Sequence, residues 1–433
     1  MTIGALTRDA VAGLSRRLGE PEWMRDGRLT AWEAFERLPA PSVSRPEEWR
    51  RTDISGLDLA AIALPEPKAI PSGQWHLGTI AREAGERSGL ISHLDGGTAG
   101  VALDEGLARQ GVIFTHLTTA VREHPALVRD HLFNGVVRAD EHRFRALHAA
   151  LWSGGTFLYV PKGVEVALPL VTQLWLGQTA VFPHTLVIAD EGSKVTLIEM
   201  VASAPSGPRA LASGVVELLL RPGAQVRYAW IQEWGTPLWE VGSLIRARLE
   251  RDASLHSLVV SLGGGLVKAD VESHLAGPGA TSEMLGLYFG TGAQHVDYHT
   301  LQEHQAPHTT SDLLYKGAVK DSARAVFAGL IKVDPGAQKT NAFQSNRNLI
   351  LSAGARSDSM PKLEIMANDL RCTHGSATSR LDEEHIFYLM SRGLSRKQAT
   401  FMIVEGFFAD VFDRIPLERV RAYLQARIAE KMI

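Results

Sequence analysis

The residues best suited to chemistry lie at 363–379, which contains the only cysteine of the chain, Cys372, followed two residues later by His374. Residues i and i+2 of an extended strand point to the same face, so the thiol and the imidazole could reach one metal ion, sulfur atom or reacting centre. Two ligands supply only half of a tetrahedral metal site, however. A free cysteine is also a common small core residue, and His374 could be a hydrogen-bonded turn residue. The spacing alone favours this structural interpretation.

A second group of candidate ligands occurs in the stretch QHVDYHTLQEHQAPHTTSD. On a strand, His295, Asp297 and His299 would share one face, which is acceptable geometry for a metal ion. The outward face of a β-strand also tolerates His, Asp and Thr as an ordinary polar ladder. We therefore expect a structural ladder here, with a metal site as the alternative.

Several catalytic signatures are missing from the sequence. No G-x-x-x-x-G-K-[ST] phosphate loop occurs, and the run SLGGGLVK at 261–268 lacks its spacing and its following hydroxyl residue. There is no G-x-S-x-G nucleophile elbow and no H-E-x-x-H zinc helix. The chain is therefore expected not to hydrolyse ATP by itself.

The charge balance and the cysteine count limit the partners and the compartment. The chain has 433 residues, with 45 basic and 48 acidic side chains and a net charge of −3, so neither nucleic acid nor a membrane surface is an expected partner. One cysteine cannot form an intrachain disulfide, which fits a reducing compartment. No signal peptide and no bilayer-length apolar run are apparent. These features predict a soluble cytoplasmic protein.

The elements that would position these residues are mainly short β-strands. Between 151 and 379, Val/Leu/Ile/Thr runs alternate with turns that pair a Gly or Asp with a small residue. The first of these turns begin 31, 29 and 27 residues apart, at Gly192, Gly223, Asp252 and Gly279. A period near 30 residues without intervening helices predicts a solenoid whose coils bury their apolar sides against each other. A sandwich or a jelly roll would favour Asn-Gly or Asp-Gly hairpins, which are missing here, so we predict a parallel β-helix.

Helical patterns flank this core on both sides. The N-terminal region, 1–150, is predicted to be helical and irregular, and the C-terminal region, 380–433, is predicted to be helical. In the N-terminal region, Thr30 followed by Glu33 predicts a capped helix start. In the C-terminal region, Ser395 caps a helix whose apolar residues, among them Ile403, Phe407, Phe408 and Val411, surround it almost completely. A helix that apolar must be buried on most sides or must contact a partner.

Long stretches of the chain resemble the SufB/SufD family of iron–sulfur cluster assembly proteins. The first, residues 144–170, resembles the family's entry into its β-helix, and the segments 296–320, 327–352 and 363–394 resemble its most characteristic half. PEEWRRTDI at 46–54 and the sequence CTHG, in place of the Glu-His-Glu form of the SufB branch, favour the SufD branch. The resemblance implies a right-handed parallel β-helix between helical N-terminal and C-terminal regions.

The resemblance also implies partners and a role. It implies a non-catalytic scaffold that pairs with a SufB-like subunit through the edge of the β-helix and with the ATPase SufC through the C-terminal helices, where Ile403, Phe407, Phe408 and Val411 lie. His374 matches a family histidine at the subunit interface, and Cys372 matches a nearby thiol. The isolated chain is expected to form a homodimer and to hold no tight cofactor, with an iron–sulfur cluster or reduced flavin associated with the complex.

Two other functions remain open on the sequence. A secreted-type, polysaccharide-active β-helix enzyme would need a charged cluster on one outer face, aromatic platforms and a secretion signal. A diverged SufB-like homodimeric scaffold would have the same fold and the same β-helix edge as the SufD-like scaffold. The two would differ only in whether Cys372 and His374 have a functional role.

Overall fold

The computed structural model describes residues 6–44, 46–59, 86–177 and 180–432. Part of the predicted N-terminal region, residues 60–85, therefore lies outside the described residues.

Two long sheets face each other and form a parallel β-solenoid, as the repeated turns predict. The ten-stranded sheet, sheet 1, contains in spatial order β2 (Gly97–Leu103), β1 (Gly89–Leu94), β5 (Leu170–Leu176), β8 (Lys194–Ser203), β11 (Gln225–Glu233), β13 (Ser254–Ser261), β15 (Thr281–Gly290), β17 (Thr310–Val319), β19 (Thr340–Ile350) and β21 (Leu370–Arg380). Along the chain the solenoid strands alternate between this sheet and its partner, and the pairing is parallel except for β1–β2 and one pair in the partner sheet.

The partner sheet, sheet 2, runs from the third strand of the chain to the penultimate strand. Its main path contains β3 (Ile113–His116), β4 (Thr156–Val160), β7 (His184–Ala189), β10 (Val215–Leu220), β12 (Leu238–Leu249), β14 (Leu266–Leu275), β16 (His295–His304), β18 (Arg324–Val333) and β20 (Arg356–Ile365). The short strands β6 (Ala180–Val181) and β9 (Ala210–Ala212) extend it beside β12. Strands β1 to β3 show that the sheets also include part of the N-terminal region.

The turns of successive coils stack on one another. The first residue of each of the first four repeated turns has a left-handed backbone, with φ of 67°, 69°, 56° and 76° at Gly192, Gly223, Asp252 and Gly279. The N–H of Gly192 donates to the carbonyl of Pro222 in the next turn, at 2.9 Å. In these four turns the next residue is fully buried, which explains why Ser or Ala follows the left-handed position. The repeat is thus a local backbone requirement combined with a packing requirement.

A charged ladder joins the coils on the outer face of sheet 2. His274 on β14 lies between the carboxylates of Glu272, at 3.1 Å, and Glu303 on β16, at 2.7 Å. Burial lowers the pKa of His274, but the hydrogen bonds to the two carboxylates outweigh burial and raise that pKa above its usual value. The ladder therefore stabilises the stacking of neighbouring coils while His274 is protonated.

The N-terminal helices are α1 (Arg8–Leu18), α2 (Glu22–Arg37), α3 (Glu105–Arg109), α4 (Leu117–Glu123), α5 (Pro125–His131) and α6 (Arg143–Leu151). The predicted helix start at Thr30 is wrong, because α2 begins at Glu22 and continues past that residue. The reason is tertiary: the guanidinium of Arg28 is fully buried, where it pairs with Glu20 at 2.6 Å and donates to the carbonyl of Ala150. Burial of this turn extends the helix beyond its local capping signal.

The C-terminal helices are α7 (Glu383–Ser391), α8 (Arg396–Phe412) and α9 (Glu418–Lys431). Ser395 caps α8 through a capping box with Gln398, as the sequence predicts. Helix α8 packs on β15 and β17 of sheet 1. In the described part of the chain, no helix is both long enough and apolar enough to span a membrane.

The solenoid ends on an open coil. Strands β20 and β21 are the last strands of their sheets, and no described strand pairs with their outer edges. Most side chains of β21 are exposed, whereas those of β19, one coil earlier, are mainly buried. Large apolar side chains, including Leu363, Ile365 and Met366, are also exposed at this end. An uncovered edge with exposed apolar side chains is a surface suited to strand addition or coil stacking.

Candidate functional site

Cys372 and His374 lie on β21, in the open last coil. Their registered neighbours on β19 are Ala342 and Gln344. Ser376, two residues further along β21, donates a hydrogen bond of 2.8 Å to Ser359 of β20. This bond joins the two sheets across the interior, so the alternation of the strand places Cys372 and His374 on the same interior face. The solenoid interior at this end is open, and both side chains lie at its mouth.

The two side chains differ in burial. Cys372 is half-buried beside the small apolar cluster of Ile331, Val333 and Ala342, and this burial raises the pKa of its thiol. A thiol with a raised pKa is a poor nucleophile and a poor metal ligand at neutral pH, because the thiolate is the reactive form. His374 is exposed, so its imidazole is available to bind a partner group.

The structure brings His295, Asp297 and His299 together on the outer face of sheet 2. The imidazole Nε2 of His299 lies 3.2 Å from the Asp297 carboxylate, and the ammonium of Lys268 lies 3.5 Å from the same carboxylate. The Thr52 hydroxyl bonds the other carboxylate oxygen and lies 2.8 Å from Nε2 of His295. The polar ladder is therefore larger than the sequence indicates, because it includes Lys268 and Thr52.

The electrostatics of this group centre on Asp297, which is fully buried. Burial would raise the pKa of Asp297, but Lys268, His299 and Thr52 together hold it well below its usual range. The lysine ammonium thus occupies the position beside the carboxylate that a metal cation would need. Within the described ranges, no group of three or more His, Cys, Asp or Glu side chains has metal-binding geometry.

The Lys268–Asp297 pair also attaches an N-terminal segment to the solenoid. Thr52 belongs to the segment 46–54, which crosses the outer face of sheet 2, and we call this segment the strap. Trp49 of the strap stacks on Phe144, with ring centroids 5.4 Å apart, and its ring faces the Lys268 ammonium at 5.7 Å. Asp297 and Lys268 therefore fasten the strap to the solenoid. The strap is recognisable in the sequence as the motif at 46–54, but nothing in the sequence indicates that Lys268 and Asp297 are its partners.

The C-terminal apolar residues divide into two groups. Phe408 and Val411 are fully buried against sheet 1, while Ile403 and Phe407 are half-buried. Lys316 of β17 reinforces this contact, because its ammonium donates to the Phe407 carbonyl and to Asp410, both at 2.6 Å. Phe407, Phe408 and Val411 hold α8 on the solenoid, and the two buried ones, Phe408 and Val411, are not accessible to a partner.

A different set of apolar side chains on α7 and α8 faces solvent. We call it the exposed helical patch, and it consists of Phe387, Tyr388, Met390 and Met402, which are 73%, 56%, 42% and 49% exposed. The sequence does not single out this set, because helical periodicity shows that a face is apolar but not which face the solenoid covers.

The fold and the site define a parallel β-solenoid whose last coil is open and carries a histidine and a thiol at its mouth. The family model "SUF system FeS cluster assembly, SufBD core domain" matches residues 174–407. The chain belongs to the SufB/SufD family of iron–sulfur cluster assembly proteins, and it is a SufD homologue.

Individual relatives agree with this assignment. The iron–sulfur cluster assembly protein SufD of Bacillus subtilis is 30% identical over 440 aligned residues, covering 100% of both chains. SufB of the same organism is 29% identical over 428 residues, covering 95% of this chain and 90% of that protein. A SufBD family protein of Staphylococcus epidermidis is 30% identical over 428 residues, with the same coverage. Family membership therefore favours iron–sulfur cluster assembly over the alternative function of a polysaccharide-active enzyme, which the β-helix fold alone left open.

Proposed function

We propose that this chain is a non-catalytic scaffold subunit of a complex that builds or transfers nascent iron–sulfur clusters. The single observation that carries the proposal is the open last coil, with Cys372 and His374 at its mouth. A SufB-like subunit would cover this coil, adding its own strands to the free edges of β20 and β21. The assembly would then enclose His374 between two chains.

The same edge accounts for the proposed behaviour of the isolated chain. When no SufB-like subunit is present, a second copy can cover the open coil, so the isolated chain should form a homodimer. The exposed Leu363, Ile365 and Met366 support this proposal, because burying them against any matching coil removes apolar surface from water.

The ATPase activity would be supplied in trans by a SufC-like subunit. The sequence has no phosphate loop, and the exposed helical patch offers apolar side chains for docking. In this proposal Phe408 and Val411 orient α8 by packing on the solenoid. The contact with the ATPase is made by the exposed helical patch, Phe387, Tyr388, Met390 and Met402. The proposed docking site for the ATPase thus moves from the buried residues to the exposed ones.

The remaining proposals concern cofactors and compartment. The isolated chain would hold no tight cofactor, and a cluster or reduced flavin would be associated with the assembled complex. The balanced charge of −3 supports a protein without nucleic-acid or membrane partners, working in the cytoplasm.

The test is to co-express the chain with its neighbouring genes and to measure the mass of the resulting complex. We expect a heteromer containing SufB-like and SufC-like subunits. Ile365→Lys, at the open coil, should lose the SufB-like subunit, because a lysine on a free edge disfavours strand pairing. Val101→Lys, a similarly exposed position on β2 at the opposite end of the solenoid, is the matched control and should retain it. An intact complex with Ile365→Lys would contradict the proposed edge.

A further inference from the structure

Gln344 is an unusual residue in the interior of the solenoid. It lies in the middle of β19, and its side chain is fully buried. Neither its Nε2 nor its Oε1 has a hydrogen-bond partner among the described residues. A buried amide without partners destabilises a fold, so a purely structural position would favour an apolar residue here.

The opposite sheet makes room for this amide. Gly329 of β18 faces it, and a Cβ added to Gly329 would lie 2.3 Å from Nε2 and 2.6 Å from Oε1 of Gln344. A glycine inside a strand weakens the strand and often marks a close approach by another group. The Gln344 amide therefore occupies a space that a side chain on β18 would otherwise fill.

The register places this amide directly behind His374. Gln344 pairs with His374 of β21, and registered side chains on neighbouring parallel strands lie about 4.8 Å apart. Both side chains are on the interior face, since His374 shares its face with Ser376, which bonds β20 across the interior. Gln344 lies one coil deeper, and no strand lies beyond His374 in the described chain.

We propose that Gln344 is the positioning residue of His374. When a subunit covers the open coil and excludes water, the Oε1 atom of Gln344 accepts the hydrogen of one imidazole nitrogen. This bond fixes the ring orientation and the tautomer, and it leaves the lone pair of the other nitrogen directed towards the partner. The inference rests on the proposed function of His374, and it explains why the chain retains a buried amide that has no partner in the uncovered state.

The test uses the co-expressed complex and three variants. Gln344→Leu removes both polar atoms, Gln344→Glu keeps an acceptor at the Oε1 position, and Gln302→Leu is the matched control. Gln302 is also a fully buried interior glutamine, and its Oε1 has no partner among the described residues, but its Nε2 donates to Ser311 and to the Phe343 carbonyl. The first readout is the tautomer of the His374 ring, measured from the ¹⁵N shifts of labelled histidine and assigned with His374→Ala.

We expect a single His374 tautomer in the wild type and in Gln344→Glu, and a mixture in Gln344→Leu. Cluster formation in cells should fall about tenfold in Gln344→Leu, as for other residues that orient a functional histidine, and recover in Gln344→Glu. The melting temperature of the isolated chain should not fall in Gln344→Leu, which removes two buried polar atoms without partners, and should be lower in Gln302→Leu. If Gln344→Leu folds poorly, Gly329→Ala, which displaces the amide, should give the same mixture of tautomers.

Two outcomes separate this inference from the proposed function. A single tautomer and normal cluster formation in Gln344→Leu, with loss of cluster formation in His374→Ala, would overturn the inference alone. Normal cluster formation in His374→Ala would overturn the proposed role of His374, and with it the reason for positioning that ring.

Discussion

Truncating Phe408 should loosen helix α8 from the solenoid, while truncating Phe387 should leave the fold unchanged. Phe408 is fully buried and packs edge-on against Phe289 of sheet 1, with ring centroids 6.4 Å apart, and against Phe407, at 5.0 Å. Replacing a buried Phe by Ala typically costs about 3–5 kcal/mol, through lost transfer energy and the cavity left behind. Phe387 is 73% exposed, so its replacement should change stability by less than about 0.5 kcal/mol.

Hydrogen exchange of the α8 amides measures the first effect, because it reports the free energy of local opening. At 1.4 kcal/mol per factor of ten, Phe408→Ala should accelerate exchange in α8 by roughly two to three and a half powers of ten. Titration with the SufC-like ATPase measures the second effect. Burying a Phe contributes about 1.5–3 kcal/mol, so Phe387→Ala should weaken binding by roughly 10- to 150-fold without altering exchange.

The two variants control for each other. Unchanged exchange in Phe408→Ala would refute the argument that α8 is held by its buried face. Unchanged ATPase affinity in Phe387→Ala, with normal exchange, would refute the exposed helical patch as the docking surface.

The remaining predictions concern the site, the ladder and the strap. His374→Ala should melt within a few degrees of the wild type and still assemble, yet fail to support cluster formation in cells lacking other assembly routes. Cys372→Ser should impair cluster formation less. Full complementation by His374→Ala would contradict the proposed role of His374. The pKa of His274 in the folded state lies above its unfolded value of about 6.5. Its contribution to stability should therefore be complete below about pH 6.5 and be lost as the pH rises through the raised pKa. Urea unfolding from pH 6 to 9 should show a decline in the free energy of unfolding that His274→Gln lacks. Asp297→Ala should destabilise the chain by up to about 3–5 kcal/mol in urea unfolding, because it leaves the buried Lys268 ammonium with only the more distant carboxylate of Asp270, at 4.0 Å. The isolated protein should hydrolyse no ATP and contain no stoichiometric metal by elemental analysis, and about one tightly bound ion per chain, lost in Asp297→Ala, would contradict the ladder interpretation.

Local rules account for the parts of this protein that can be predicted from sequence. Each of the first four repeated turns needs a left-handed residue followed by a small buried one, and both requirements act within two neighbouring positions, so the solenoid and its period are visible in the amino-acid order. The capping box at Ser395 is local in the same way. Strand alternation is also a local rule, and it is sufficient to place Cys372 and His374 on one face.

The tertiary structure alone decided how those elements are used, because burial depends on residues that are distant in the chain. The local helix signal at Thr30 was overridden by burial of the preceding turn around Arg28. The apolar helix α8 has no unique inner face in its sequence, and only docking on sheet 1 buries Phe408. His374 is exposed because its strand has no neighbour on one side, and Gln344 becomes its partner only through the register of β19 with β21.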